Sequence, residues 1–245
     1  PVLGPSLAAG VYEPGASEID VSALHQGYLQ GARRAGARIV TGAEVTSIDA
    51  KGDRWVVETD GGSYSCDVVI NAAGAWADTV SQLAGIDGLG LQPMRRTAFT
   101  FEPGVDLRGW PMVIDVDESF YFKPERTVVM GSLSEETPMH PHDVQPEEID
   151  VALAIERIQR ATDLTITHVK RTWAGLRTFA PDRDPVNGFE PTKSGFYWLA
   201  GQGGFGIMTS PAMGRIAAAM ILDGEIPQDL TELGLTQSAL APRRT

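Results

Sequence analysis

The chain has 245 residues, 42% of them hydrophobic, enough for one large domain or two small ones with a core of their own. Its 32 Asp and Glu outnumber 20 Lys and Arg, and the net charge of −12 argues against nucleic acid or an anionic membrane surface as a partner. Cys66 is the single cysteine, which excludes an internal disulfide and a cysteine-based metal cluster; His25, His140, His142 and His168 lack ligand spacing, so no metal is expected. No apolar run is long enough to span a bilayer and no signal-peptide pattern is present.

In chain order, Leu7 to Tyr12 reads as a short strand leaving through Pro14-Gly15. Asp20 can cap a helix running to about Arg34, with Leu24, Tyr28 and Ala32 on one face and Gly36 as its stop. Short β segments follow at 38–40, 45–49 and 54–58, with Gly61-Gly62 as a turn before 63–66. The run DVVINAAG, 67–74, is continuously apolar and ends on small residues, as expected of a buried parallel strand, and 75–84 reads as a helix. Residues 91–101, 111–115, 120–123 and 127–131 then read as strands, 138–146 as a loop and 147–161 as a helix. That block predicts a mostly antiparallel sheet with one helix, inserted between the halves of the first module.

Residues 196–222 carry the strongest local signal. An aromatic run passes through Gly201, Gly203, Gly204 and Gly206 into an apolar helix, for which Ser210-Pro211 looks like a start. A glycine turn bares peptide N–H groups, and the helix adds the positive end of its dipole, so an electron-rich group can sit against backbone. The match to G-x-G-x-x-G is weak alone, because no second strand ending in an acid follows the helix. The turn is therefore expected to bind a ligand without opening a nucleotide domain. The two strand–turn–helix passages, at 67–84 and 196–222, are expected to share one sheet.

Arg95 and Arg96 stand in an apolar strand pattern, and Arg177 in Trp173-Ala174-Gly175-Leu176-Arg177. A guanidinium among apolar neighbours needs an anion, either a protein carboxylate or a ligand carboxylate held bidentately. Tyr121 can add a hydroxyl donor. No Ser/His/Asp, Cys/His or paired-carboxylate arrangement stands out, which leaves hydrolysis without support.

The runs DVVINAAGAWAD, GLQPMRRTAFTFEP, WPMVIDVDESFYFKP, TWAGLRTFAPDRDPVNG and FYWLAGQGGFGIMTSPAMG together resemble the FAD-dependent D-amino-acid oxidase and glycine oxidase superfamily, and within it the bacterial D-arginine dehydrogenase type. The resemblance implies an α/β (α+β) fold: a Rossmann-like FAD domain, incomplete because its N-terminal βαβ unit has no counterpart here, with an inserted substrate domain on a mixed, mostly antiparallel sheet. The corresponding division is a substrate-domain strand at 1–18, FAD domain at 19–92, substrate domain at 93–171 and the C-terminal part of the FAD domain at 172–245. It implies FAD contacts from Val45, Ala73, Gly74, Gly175, Gly203, Gly204, Phe205, Gly206, Ile207 and Met208. Arg96 and Arg177 would clamp a substrate carboxylate with help from Tyr121, the Gly204 carbonyl would accept from the α-amine, and Met112, Ile114 and Ile207 would line the side-chain pocket.

The activity so implied is oxidative deamination of D-amino acids, D-arginine among them, to 2-oxo acids and ammonia by hydride transfer from Cα to flavin N5. A small amino acid is then the substrate, a quinone or O2 the electron acceptor, and the location cytoplasmic, with loose inner-membrane association through the acceptor. A missing N-terminal FAD-binding segment would be the chain's necessary companion, the chain being inactive without it. Met208 and Asp115 depart from the D-arginine dehydrogenase pattern, where glutamine and serine are expected. Glycine- or sarcosine-type amine oxidation, and a non-catalytic subunit of a flavoenzyme, stay open as alternatives.

Overall fold

The computed structural model describes residues 3–4 and 7–243. In chain order the elements are α1 (Val21–Arg34), β1 (Val45–Lys51), β2 (Arg54–Thr59), β3 (Gly62–Cys66), β4 (Val69–Asn71), a 3-10 turn (Gly74–Trp76), α2 (Ala77–Leu83), β5 (Gln92–Phe101), β6 (Val113–Ile114), β7 (Tyr121–Glu125), β8 (Val128–Ser132), β9 (Thr137–Pro138), α3 (Glu148–Ala161), β10 (Val169–Phe179), β11 (Val186–Phe189), β12 (Phe196–Ala200), α4 (Gly206–Leu222), α5 (Gln228–Thr231) and α6 (Gln237–Leu240). They fall into two compact units: Pro93–Arg177 with the described part of Pro1–Pro14, and Gly15–Gln92 with the described part of Thr178–Thr245.

The first unit is a sheet ordered β10-β5-β8-β7-β6, with β9 also on β5. Its registered pairs are antiparallel, Phe99 facing Gly131 and Gly131 facing Phe122. Period-two alternation sends one face of this sheet, with Phe99, Phe101, Phe122 and Val129, onto α3. Helix α3 answers with Val151, Ala154, Ile158 and Ala161, spaced three and four apart as a single buried stripe. Gly131 lets the layers close: a Cβ there would sit 2.8 Å from both Ile158 Cδ1 and Phe99 Cζ.

The second unit holds the meander β1-β2-β3 and a three-stranded sheet β11-β12-β4. Strands β4 and β12 pair in parallel, Val69 opposite Phe196, so the two strand–turn–helix passages do share a sheet. The 67–74 run is shorter and less buried than its composition predicts. Only 69–71 form a strand, at the sheet's edge, with Ile70 exposed and Asn71 buried. Phe196 and Trp198, fully buried, pack with Trp55, Ile48 and Ala77 as the core.

The α1 cap is as expected: the Asp20 carboxylate accepts from Ala23 N–H at 2.9 Å, and Gly36 takes φ +91° just past the end. Its inner side differs. Leu24, Leu29 and Ala32 are half-buried while Tyr28 is exposed. Residues 7–12 and 38–40 are not strands, for Val11, Tyr12 and Val40 are exposed and no strand pairs with them; an extended run without a partner ladder has no reason to persist.

Asp78 organises the segment after α2. Its carboxylate accepts the backbone N–H groups of Leu89, Gly90 and Leu91 at 2.9, 3.0 and 2.9 Å. A Cβ at Gly88 would stand 2.7 Å from that same carboxylate.

Helix α4 begins at Gly206, a full turn before the expected Ser210-Pro211 start, leaving Pro211 inside the helix. Pro211 offers no N–H to Ile207 O four residues back; the Ser210 hydroxyl donates to that carbonyl instead, at 2.9 Å.

Candidate functional site

Alternation along β5 separates two adjacent guanidiniums. Arg95 turns toward α3, where its side chain is 5% exposed and paired with Glu147 and with Asp150 Oδ2 at 2.8 Å. This is the structural ion pair that a buried arginine ordinarily makes. Arg96 turns the other way, donates from Nε to the Glu135 carbonyl at 2.8 Å, and has Nη2 3.6 Å from Glu136 Oε1.

Burial first, and then the Arg177 guanidinium, pull the pKa of Arg96 below its ordinary value, while Tyr121, Glu135 and Glu136 act against them. Arg96, Arg177 and Tyr121 therefore share one electrostatic neighbourhood within the first unit. Half-buried Arg177 makes no ion pair or side-chain hydrogen bond among the described residues. Two like charges held together and partly dried are relieved by an incoming anion. A carboxylate matches the free guanidinium edges bidentately, and a phenol hydroxyl beside them adds a third donor. Ile114 lies opposite Tyr121 across β6 and β7, and both Ile114 and Met112 are exposed. Gly175 is exposed on β10, with open space where a Cβ would be.

Asp115 is committed elsewhere. Its carboxylate accepts the Ser119 hydroxyl at 2.5 Å and the Ser119 N–H at 3.4 Å, closing a turn in which Glu118 takes φ +52°. The Ser119 hydrogen bond, against a little burial, holds this carboxyl below its usual range.

The residues expected to face the cofactor lie, Gly175 apart, in the second unit. A cleft of about 490 Å³ is lined by Val45, Ile48, Cys66, Val69, Ala72 and Ala73, among others. Burial pushes the Cys66 thiol above its ordinary value, so this wall is uncharged. Asn71, 2% exposed, shapes the cleft's end: its Nδ2 donates to Ala77 O at 2.8 Å and its Oδ1 accepts Ala73 N–H at 3.3 Å. The backbone then turns at Gly74 with φ +57°.

The second turn is built just as tightly. Gly203 has φ +54°, its N–H donates to Thr178 O at 2.8 Å, and a Cβ would fall 2.6 Å from the Phe179 ring. Phe205 is the N-cap of α4 and its side chain makes no capping hydrogen bond, so the first N–H groups of the helix, from Gly206 to Met208, lack a side-chain cap from it. Gly204, Phe205, Ile207 and Met208 are exposed around them. Behind the turn, the Tyr197 hydroxyl donates to Asn187 Oδ1 at 2.7 Å and Asn187 Nδ2 to Met213 O at 3.0 Å, fixing β12 to α4. An apolar cleft and a bare helix N-terminus in one unit fit the two needs of a flavin nucleotide, a dry wall for a ring and donors for an electron-rich edge.

Glu135, Glu136 and Asn71 escape the sequence reading. The one signal for Asn71 is a lone amide ending an apolar run. Nothing local marks Glu135 or Glu136 as partners of a strand some forty residues earlier.

Among the described residues, no group of three or more His, Cys, Asp or Glu is placed to hold a metal, and no helix is long and apolar enough to cross a membrane. The model of the DAO family, FAD dependent oxidoreductase, matches residues 1–220. Human mitochondrial dimethylglycine dehydrogenase is 31% identical over 249 residues, covering 93% of this chain and 28% of its own length. The crystal structure of L-proline dehydrogenase from P. horikoshii superposes with a TM-score of 0.73 at 25% identity, over 85% of this chain and 59% of that one. Glycine oxidase from Geobacillus kaustophilus gives 0.73 at 22% identity, over 87% and 55%. The chain thus spans little more than a quarter of the human relative and under two thirds of either solved chain. With a match across most of its residues and the expected mixed α/β fold, the chain belongs to the DAO family of FAD-dependent oxidoreductases.

Proposed function

We propose that this chain carries the substrate clamp and part of the FAD site of an oxidoreductase acting on the amine of an α-amino acid. The observation that carries the reading is the Arg96–Arg177–Tyr121 group, two partly buried cations beside one hydroxyl, with Arg177 lacking a protein anion among the described residues. Arg96 and Arg177 hold the substrate carboxylate, Tyr121 donates to it, and Met112 and Ile114 meet the side chain. Val45, Ala73, Gly74 and Gly203 to Met208 hold FAD. FAD, when bound, supplies the two-electron acceptor. Fixing the carboxylate limits the directions open to the Cα–H bond, and positioning of this kind lowers the barrier by avoiding the entropy loss at the moment of reaction. The substrate loses a hydride equivalent and a proton, and the imine takes up water to give a 2-oxo acid and ammonia.

On the substrate, D-amino acids are the first choice. The commitment of Asp115 to Ser119 speaks for a small or apolar side chain over a D-arginine guanidinium, since this carboxylate is already answered. A second reading, a glycine or N-methylglycine amine, draws on the relatives named for dimethylglycine, glycine and proline. The test is an anaerobic absorbance titration of the full-length flavin-loaded protein with D-Ala, D-Arg, glycine, N-methylglycine and L-Arg. Loss of flavin absorbance with D-Ala and not L-Arg supports the first reading. Response to glycine or N-methylglycine alone supports the second, and no response to any of them overturns both in favour of a non-catalytic subunit.

A further inference from the structure

Glu135 reaches strand β5 twice. Its carbonyl accepts from Arg96 Nε at 2.8 Å, and its carboxylate Oε1 accepts the backbone N–H of Thr97, the next residue along. The loop that carries it is itself tied down: the Ser132 hydroxyl donates to Thr97 O at 2.6 Å, Ser134 N–H donates to that hydroxyl at 3.2 Å, and Ser134 is held at φ +63°. A serine in the left-handed region is strained and persists only where its surroundings over-determine it.

Among the described residues the carboxylate makes no ion pair. Glu135 Oε2 is buried without a hydrogen-bond partner among the described residues, and so are Thr97 Oγ1 and Arg95 Nε on the strand it grips. Burial raises the pKa of this carboxyl, against its hydrogen bonds from Thr97, and the carboxylate of Asp150 raises it further. A purely structural site would be served more cheaply by an amide or an apolar residue, because a buried carboxylate without a cation in contact is costly. What this glutamate does accomplish is geometric. With Nε occupied by one end of Glu135 and the following peptide fixed by the other, Arg96 can present only its Nη edge.

We propose that Glu135 is a positioning residue of the carboxylate clamp, setting the direction of the Arg96 guanidinium through its two-point hold on residues 96 and 97. The inference rests on the clamp reading above. It assigns to the 132–136 loop the aim of Arg96, and so the substrate's affinity, with little effect on the chemical step.

The test compares Glu135→Ala and Glu135→Gln with the unaltered full-length, FAD-loaded protein. The readouts are KM and kcat on the best amino acid substrate and, separately, the Kd for acetate by calorimetry. Loss of one charge-assisted hydrogen bond corresponds to roughly tenfold in affinity or more. Glu135→Ala should raise KM and the acetate Kd by about that factor with kcat within about twofold, and Glu135→Gln, which keeps an acceptor for Thr97 N–H, should restore most of it. An unchanged acetate Kd in Glu135→Ala overturns the proposal, as does a Gln variant no better than Ala. If Ala does not fold, Glu135→Asp withdraws the acceptor while keeping the charge, and an unaltered acetate Kd there overturns it equally. Acetate binding without oxidation of any amino acid would defeat the reaction assigned above while the Kd series still decides the role of Glu135. Absence of acetate binding in the unaltered protein would remove the clamp and this inference with it.

Discussion

Arg95 and Arg96 follow one another on β5, and their guanidiniums meet opposite fates: the first is closed by Glu147 and Asp150 of the α3 region, the second is steered by Glu135 and touches Glu136 only at 3.6 Å. The pleat sorts an inner, saturated arginine from an outer one with donors to spare. The consequences can be measured.

Arg177→Ala removes one cation of the clamp and, with it, the repulsion that depresses Arg96. Loss of a charged hydrogen bond of about 1.5–3 kcal/mol should weaken binding of an amino acid carboxylate roughly 10- to 150-fold. Steady-state KM and acetate titration both report it. Equal affinities in variant and parent would take Arg177 out of the clamp.

Glu136→Gln should act in the opposite direction. Its carboxylate stands 3.6 Å from Arg96 Nη2, and a substrate carboxylate competes with it for that nitrogen. Neutralising a loose, partly exposed pair of this kind is worth about 0.2–1 kcal/mol, so carboxylate Kd should fall up to about fivefold. A weaker Kd in the variant would show that Glu136 supports Arg96 and does not compete.

Gly203→Ala places a Cβ 2.6 Å from the Phe179 ring at a backbone angle of +54°. The angle alone costs roughly 1–3 kcal/mol, and the ring must also move. Thermal unfolding should fall by several degrees, and Phe179→Leu in the same chain should recover the clash but not the angle. An unshifted midpoint would mean the turn adopts another geometry.

Asn71→Ala leaves the Ala77 carbonyl and the Ala73 N–H without their side-chain partner. An unmet buried group costs about 1–3 kcal/mol. The 72–77 turn should loosen, and the fraction of protein purified with FAD should drop; full occupancy would separate this turn from the cofactor.

Glu190 is buried, and although burial pushes its carboxyl up, hydrogen bonds from Arg243, Thr192 and Trp198 outweigh it and bring the pKa below the ordinary 4.5. A depressed carboxyl stabilises the fold above its unfolded value and loses that contribution as pH falls through the folded one. Arg243→Ala should therefore lower the unfolding midpoint at pH 7, and the difference between variant and parent should shrink as the pH falls through the depressed pKa of folded Glu190, below which both carry it protonated. A difference independent of pH would show that Arg243 acts by packing.

The legible parts of this fold are those set by local chemistry. Asp20 announces α1, the alternation of Phe99 and Phe101 announces β5, and the aromatic run before Gly201 announces β12. The parts that went unread depend on distant partners. Residues 7–12 have strand composition but no neighbour to pair with, and Pro211 misleads because Ser210 answers the carbonyl that proline leaves open. Within the clamp, Arg96, Arg177 and Tyr121 are visible as residue types in apolar strands. Their sorting from Arg95 required α3, and Glu135 required a loop whose only link to β5 is through space.

The carboxylate of Asp78, gathering three successive N–H groups of residues 89–91 over a glycine at 88 that admits no side chain, closes the stretch between them into a ring without a covalent crosslink. A ring of fixed circumference tolerates changes of residue but not of number: one residue inserted or deleted between 79 and 88 shifts the three amides out of register with a single carboxylate. Length variation among relatives should accordingly skip this interval. Substitutions at 78 and 88 should appear together or not at all, since a side chain at 88 evicts the carboxylate and loss of the carboxylate frees 88 to vary.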